Sequence, residues 1–128
     1  MKVEISENPV EMECIDSIEA GDEIIFKGIV RGFDSHQVKG LYYEVEENMA
    51  KREMEIIARE TIEKFGVLDC CIFHRKGFVK SGDITMIVRV KSRHRKEGFD
   101  ALIYCVDNIK HRVPIWKKEI TDNTERWL

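Results

Sequence analysis

The chain has 128 residues, of which 43% are hydrophobic and 35% charged, with only two prolines. That length predicts one domain spanning residues 1–128, large enough for one good core and too short for two. Twenty-one basic against 24 acidic side chains leave a net charge of -3, which excludes a general polyanion binder such as a nucleic-acid-coating protein and leaves local basic clusters to be explained locally.

In chain order, Ile5, Val10, Cys14 and Ile18 fit an extra strand and a short helix within Met1–Ala20. Ile24–Val30 reads as a strand and Leu41–Glu46 as another, with the polar loop Gly32–Gly40 between them. A helix follows, with Asn48 as its expected N-cap, apolar positions Ala50, Met54, Ile57, Ala58, Ile62 and Phe65 at three- and four-residue spacing, and Gly66 as its end. Val67–His74 is a mostly apolar strand. Ile84–Val90 alternates, which assigns Ile84, Met86, Val88 and Val90 to the core face, and Lys80-Ser81-Gly82-Asp83 supplies the turn before it. A second helix is expected from about Glu97 to Arg112 and a last strand from Ile115. Two helices among hairpin-like strands predict an α+β domain with an antiparallel or mixed sheet.

No apolar run is long enough to cross a bilayer, and Met1-Lys2-Val3-Glu4-Ile5 lacks the hydrophobic centre of a signal peptide, so a cytoplasmic protein away from membranes is expected. The cysteines Cys14, Cys70, Cys71 and Cys105 include an adjacent pair but no C-x-x-C spacing. They suggest neither a metal site nor a thioredoxin-like motif, and read as buried free thiols in a reducing cytosol.

Lys110 is the residue that points to chemistry. At about 100° per residue it projects within roughly 20° of Phe99, inside an apolar arc of Phe99, Leu102, Ile103, Val106 and Val113. The expectation is an ammonium aimed at the interior or a cleft, which must find an anion or change its pKa; the plainer alternative is a lysine snorkelling from the stripe's edge. Pro114 then stops the helix. In the strand beyond it Ile115 and Lys117 share one face and Trp116 and Lys118 the other, so a second lysine follows the first around a tight corner. Arg89–Lys96 is the densest basic stretch, and at a helix start its cations and free N–H groups suit a single phosphate better than a nucleic acid.

The segment Lys110-His111-Arg112-Val113-Pro114-Ile115-Trp116-Lys117-Lys118-Glu119, followed by Arg126-Trp127, resembles the signature of the large, catalytic subunit of molybdopterin synthase. Four further motifs keep the family's order: Phe26-x-Gly28-x-Val30-Arg31, His74-Arg75-x-Gly77, Gly82-Asp83, and Ser92-Arg93-His94-Arg95 with Phe99 and Ala101. The resemblance implies an α/β hammerhead arrangement and a sulfur-transfer reaction. A small ubiquitin-like partner delivers its C-terminal Gly-Gly thiocarboxylate, and two rounds convert cyclic pyranopterin monophosphate to the molybdopterin dithiolene. It assigns Lys110 and Lys117 to the chemistry, places Ile29, Val30, Arg31, His94 and Arg95 around the substrate, and puts Lys118 and Glu119 in the pocket wall. No metal or organic cofactor is called for, because the sulfur arrives on the partner. The family arrangement is a central homodimer with a small subunit at each end, both large subunits contributing to each pocket.

Two departures accompany the resemblance. Gly32-Phe33-Asp34 stands where many relatives carry an Asn-containing loop after the arginine, and contacts made by the longer tails of relatives are expected to be absent or replaced. His74 and Arg75 read as a structural pair, and His36 and His111 as surface residues. Other readings of the residues are a non-catalytic module that docks a ubiquitin-like tail or a phosphorylated metabolite, and an unrelated lysine enzyme that forms a Schiff base.

Overall fold

The computed structural model describes residues 1–128. The elements are β1 (Lys2–Ser6), β2 (Asp22–Ile29), β3 (Gly40–Val45), α1 (Glu47–Phe65), β4 (Asp69–Arg75), β5 (Gly77–Lys80), β6 (Ile84–Ser92), α2 (Arg95–Arg112), β7 (Ile115–Ile120) and β8 (Glu125–Trp127). They build an α+β fold with two four-stranded sheets, ordered β1-β4-β6-β2 and β5-β3-β7-β8. The first is mixed, because β1 runs parallel to β4 while the remaining pairs are antiparallel.

β4 is the hub of the first sheet. All seven of its residues are buried, which is why Asp69–Arg75 reads as a near-continuous apolar run rather than an alternating one. Cys70 and Ile72 face the helices and join Met54, Ile57, Val88, Val90 and Ala101 in the main core. Cys71 and Phe73 face the other way, where residues 7–20 cross the sheet as an irregular strap and contribute Met12 and Cys14 to a second cluster. The strap contains no helix. Ile84 also packs on this second cluster instead of the helix side, because a register irregularity at Gly28/Ile29 lies opposite it and bulges re-aim side chains.

α1 buries Ala50, Met54, Ile57 and Ala58 completely. It begins two residues earlier than an Asn48 cap requires: Glu46 is the N-cap and makes no side-chain capping bond. Glu47 in the first turn complements the helix dipole instead. Gly66 closes the helix with φ 65° and an N–H bond of 2.9 Å to the Ile62 carbonyl, the left-handed conformation for which glycine is suited.

α2 packs on the sheet through Gly98, Ala101, Cys105, Val106 and Ile109, and this corrects the expectation for Lys110. A Cβ at Gly98 would lie 2.5 Å from Ser92 Oγ and 2.8 Å from Ile24 Cδ1, so small residues let the helix approach the sheet closely. The larger apolar residues are rotated away, leaving Phe99 53% and Ile103 60% exposed. Lys110 shares their side, as its projection requires, but that side is open in the single chain and Lys110 is exposed. The end of α2 is held by Arg112, whose guanidinium reaches Glu60 at 2.6 Å and Glu53 at 2.8 Å on α1. The pair holds the Glu60 carboxyl below its ordinary range and fixes where the chain leaves α2 for Pro114 and β7.

Candidate active site

β7 carries the second half of the site. It pairs with β3 so that Lys117 lies opposite Tyr43, Lys118 opposite Tyr42 and Glu119 opposite Leu41. Lys117 and Glu119 therefore share the face of Ile115, Leu41 and Tyr43 that packs against Val30 and Val79. Tyr43 in turn meets the His74 ring edge-on at 5.1 Å. His74 is buried, its Nδ1 lies 2.7 Å from the Arg75 carbonyl, and its pKa is lowered first by desolvation and further by the nearby Lys117 charge. A neutral imidazole and a tyrosine thus lie beside the Lys117 ammonium, which is exposed and forms no ion pair.

The other predicted residues separate into two groups. Val30 is buried at 2% exposure in the cluster with Tyr43, so it supports the site and does not line an open pocket, while Ile29 is 62% exposed. Arg31 projects outward with its only carboxylate neighbour, Asp34, at 3.8 Å. Lys118 is on the opposite face of β7, with Nζ 5.6 Å from the Tyr42 ring centre, 5.2 Å from that of Trp127 and 3.7 Å from Glu125. Those contacts, about 0.5–1 kcal/mol each for exposed cation–π pairs, make it a brace between β7 and β8. Glu119 is buried and accepts from His36 Nε2 at 2.7 Å, with Arg126 at 3.6 Å. His36 is a surface residue as expected, its side chain 41% exposed, and it also ties the loop after Arg31 to β7.

His94 and Arg95 stand at the far end of α2. His94 is the N-cap but its side chain makes no capping bond, and both residues are exposed. Sixteen residues of helix separate His94 from Lys110, roughly 24 Å along the axis at 1.5 Å per residue. One chain therefore cannot bring His94 and Lys110 to a single small molecule.

Two open recesses flank the second sheet, of about 450 Å³ and 700 Å³. Neither is lined by Lys110 or Lys117. The first is walled by Glu7, Glu44, Glu46 and Glu47 with Lys76, and the second by Glu119, Asp122 and Glu125 with His36 and Arg126, so carboxylates outnumber cations in both. Neither Tyr43 nor His36 carried a periodic signal for the site: the β3–β7 register sets Tyr43 opposite Lys117, and the fold of the loop sets His36 against Glu119.

Fold and site together define an α+β protein that presents exposed cations at both ends of one helix and on the strand that follows it. The family model described as MoaE protein matches residues 3–112. The molybdopterin synthase catalytic subunit of Pyrococcus abyssi is 40% identical over 115 residues, covering 89% of this chain and 78% of that protein. The crystal structure of molybdopterin synthase from Staphylococcus aureus superposes with a TM-score of 0.91 at 33% identity, covering 98% of this chain and 95% of that one. A Helicobacter pylori structure, a complex of subunits 1 and 2 of molybdopterin-converting factor, matches with a TM-score of 0.72 at 25% identity, over 85% of this chain and 72% of that one. The chain belongs to the MoaE family, the catalytic subunits of molybdopterin synthase, and is a sulfurtransferase of molybdenum cofactor biosynthesis. No helix is long and apolar enough to cross a membrane.

Proposed function

We propose that residues 1–128 act as one domain that transfers sulfur from the C-terminal thiocarboxylate of a small ubiquitin-like subunit to cyclic pyranopterin monophosphate, at a site shared by two copies of the chain. The observation that carries the shared site is the separation of His94 and Arg95 from Lys110 along α2. Two copies related by a two-fold axis present the helix start of one beside the β7 lysine of the other. The exposed Phe99, Ile103, Ile25 and Ile29 side chains offer apolar area for such contacts.

The reactants set the demand. A thiocarboxylate tail and a cyclic phosphate are both anions, and they repel unless fixed positive charge gathers them. Arg31, His94 and Arg95 hold the phosphate and pterin. Lys117 and Lys110 stand beside the reacting carbonyl, where an ammonium stabilises the oxyanion that develops as sulfur leaves the acyl carbon, and where Lys110 exchanges the proton. The neutral His74 keeps a second fixed charge away from Lys117. The transfer uses no metal or organic cofactor, since the sulfur is carried by the partner, and the reaction belongs in the cytoplasm, where such a carrier would be loaded.

The test is reconstitution. Purified chain, thiocarboxylated small subunit and cyclic pyranopterin monophosphate are mixed, oxidised and assayed for the fluorescent molybdopterin derivative. Product that is lost in Lys117→Ala supports the proposal. Tight binding of both reactants with no product, under conditions where a known synthase turns over, assigns the chain instead to the non-catalytic module.

A further inference from the structure

All four cysteines of the chain fall into two facing pairs on either side of β4. Cys70 and Cys71 are adjacent in that strand, so their side chains leave it on opposite faces. Cys70 Sγ lies 3.7 Å from Cys105 Sγ on α2, and Cys71 Sγ lies 3.8 Å from Cys14 Sγ on the strap. The two pairs differ in what holds them. Cys70 and Cys105 are fully buried between helix and sheet, and they can be reached only when α2 lifts from the core. Cys14 belongs to an irregular segment that covers one face of the sheet, and local opening of such segments costs far less than global unfolding.

We infer that Cys14 and Cys71 form a reversible disulfide that staples the strap to the central strand under oxidising conditions, a modification site separate from the sulfur-transfer surface. The strap is already registered for it. Asp69, two residues from Cys71, accepts the Ile15 N–H at 2.8 Å, one residue from Cys14, and the Met1 amino group at 2.7 Å. Closing the sulfurs from 3.8 Å to a bond of about 2.05 Å asks for a small shift of the strap and none of β4.

The same three side chains, Cys14, Cys71 and Asp69, lie close enough to hold a metal ion. The observations favour the disulfide. Both Asp69 oxygens are committed, to the Ile15 and Cys70 N–H groups and the amino terminus, and the second cysteine pair repeats the sulfur spacing with no carboxylate present.

The chemistry is exchange with a small-molecule disulfide. One cysteine thiolate attacks a sulfur of the oxidant, expelling one small thiol and leaving a mixed disulfide on the protein. The second thiolate then attacks the protein-side sulfur of that bond, expelling the second small thiol. One S–S bond is broken and one formed, and the two protons lost by Cys14 and Cys71 end on the two released thiols. The hydrogen bond from Cys14 to Cys71 pushes the Cys14 thiol up, with burial adding to it, and lowers Cys71, so Cys71 is the first of the pair to ionise while the two sulfurs remain in contact.

The experiment treats the folded chain with oxidised glutathione, then maps cross-linked peptides without reduction and digests the product with a glutamate-specific protease, for which the strap offers Glu7, Glu11, Glu13 and Glu19. The expected result is a single Cys14–Cys71 cross-link, two of the four thiols still titratable after unfolding, and cutting within the strap slowed by at least about tenfold relative to the reduced chain. Cys14→Ser should lose both the cross-link and the protection, and Cys105→Ser should keep both. A Cys70–Cys105 bond as the main product, four unchanged thiols, or stoichiometric zinc that protects Cys14 and Cys71 from the oxidant would each overturn the inference.

Discussion

At the scale of single residues, the account rests on cations that the chain leaves uncommitted. Lys117 is exposed and unpaired, so Lys117→Ala should leave the unfolding free energy from urea titration within about 0.5 kcal/mol of wild type while reducing product formation by about 10²–10³-fold, the magnitude expected for losing one oxyanion-stabilising group. Lys110→Arg keeps charge but cannot readily exchange a proton; full activity in that variant would leave Lys110 only an electrostatic role.

His74 supplies a prediction about pH. Its folded-state value lies below the ordinary imidazole value of about 6.5, so on acidification the unfolded chain takes up the proton first. The stability tied to a neutral His74 is complete above about 6.5 and is lost as pH falls through the depressed folded value. Urea midpoints measured between pH 7 and 5 should fall for wild type, and this decline should be shallower in His74→Phe, which retains the ring contact with Tyr43. Asp69 acts in the same direction at lower pH. Burial alone would raise its carboxyl, but bonds from the Met1 amine and the Ile15 and Cys70 N–H groups hold it below the ordinary range, so its contribution disappears only below about pH 4.

At the scale of elements, α1 and α2 differ in how openly they can be read from the sequence. α1 buries large residues at regular spacing, so Ala50, Met54, Ile57 and Ala58 announce the buried face and Gly66 announces the end. In α2 the face nearest the sheet is made of Gly98, Ala101 and Cys105, which carry little hydrophobic weight, while Phe99 and Ile103 pull the apparent apolar arc toward the open side. The position of Lys110 on the wheel was legible; what that side of the helix faces was not, because close approach selects small residues. Gly98→Val should therefore push α2 off Ile24 and Ser92 and cost about 1–3 kcal/mol by overpacking, read as a lower urea midpoint. It should also impair activity, because α2 positions His94 and Arg95. Met54→Ala in α1 should cost about 2–5 kcal/mol through its cavity with the active-site surface unchanged.

The second sheet shows the same division. Alternation in Ile115–Glu119 placed Lys117 and Glu119 on one face and Lys118 on the other, and the β3–β7 register agrees. The short strands β5 and β8 left no pattern long enough to recognise, and the partnership of His36 with Glu119 spans 83 positions, a separation that periodicity cannot bridge. Tyr43 and His74 likewise meet only because two sheets converge.

At the scale of the whole molecule, the net charge of -3 hides a division between acidic recesses and exposed cations. Recruitment of an anionic tail to those cations should slow as salt is raised, since exposed charges are screened within about 8–10 Å at physiological ionic strength. The family motifs made the reaction legible from the sequence, whereas the proposed sharing of the site between two copies rests on the way α2 holds its two cationic ends apart. The most direct test isolates, by two affinity tags, a heterodimer of one Lys117→Ala chain and one Arg95→Ala chain. Each parent homodimer should be nearly inactive. A shared site predicts that the heterodimer regains about half of wild-type product formation, because one of its two symmetry-related sites has both residues intact; a heterodimer as inactive as its parents would contradict it.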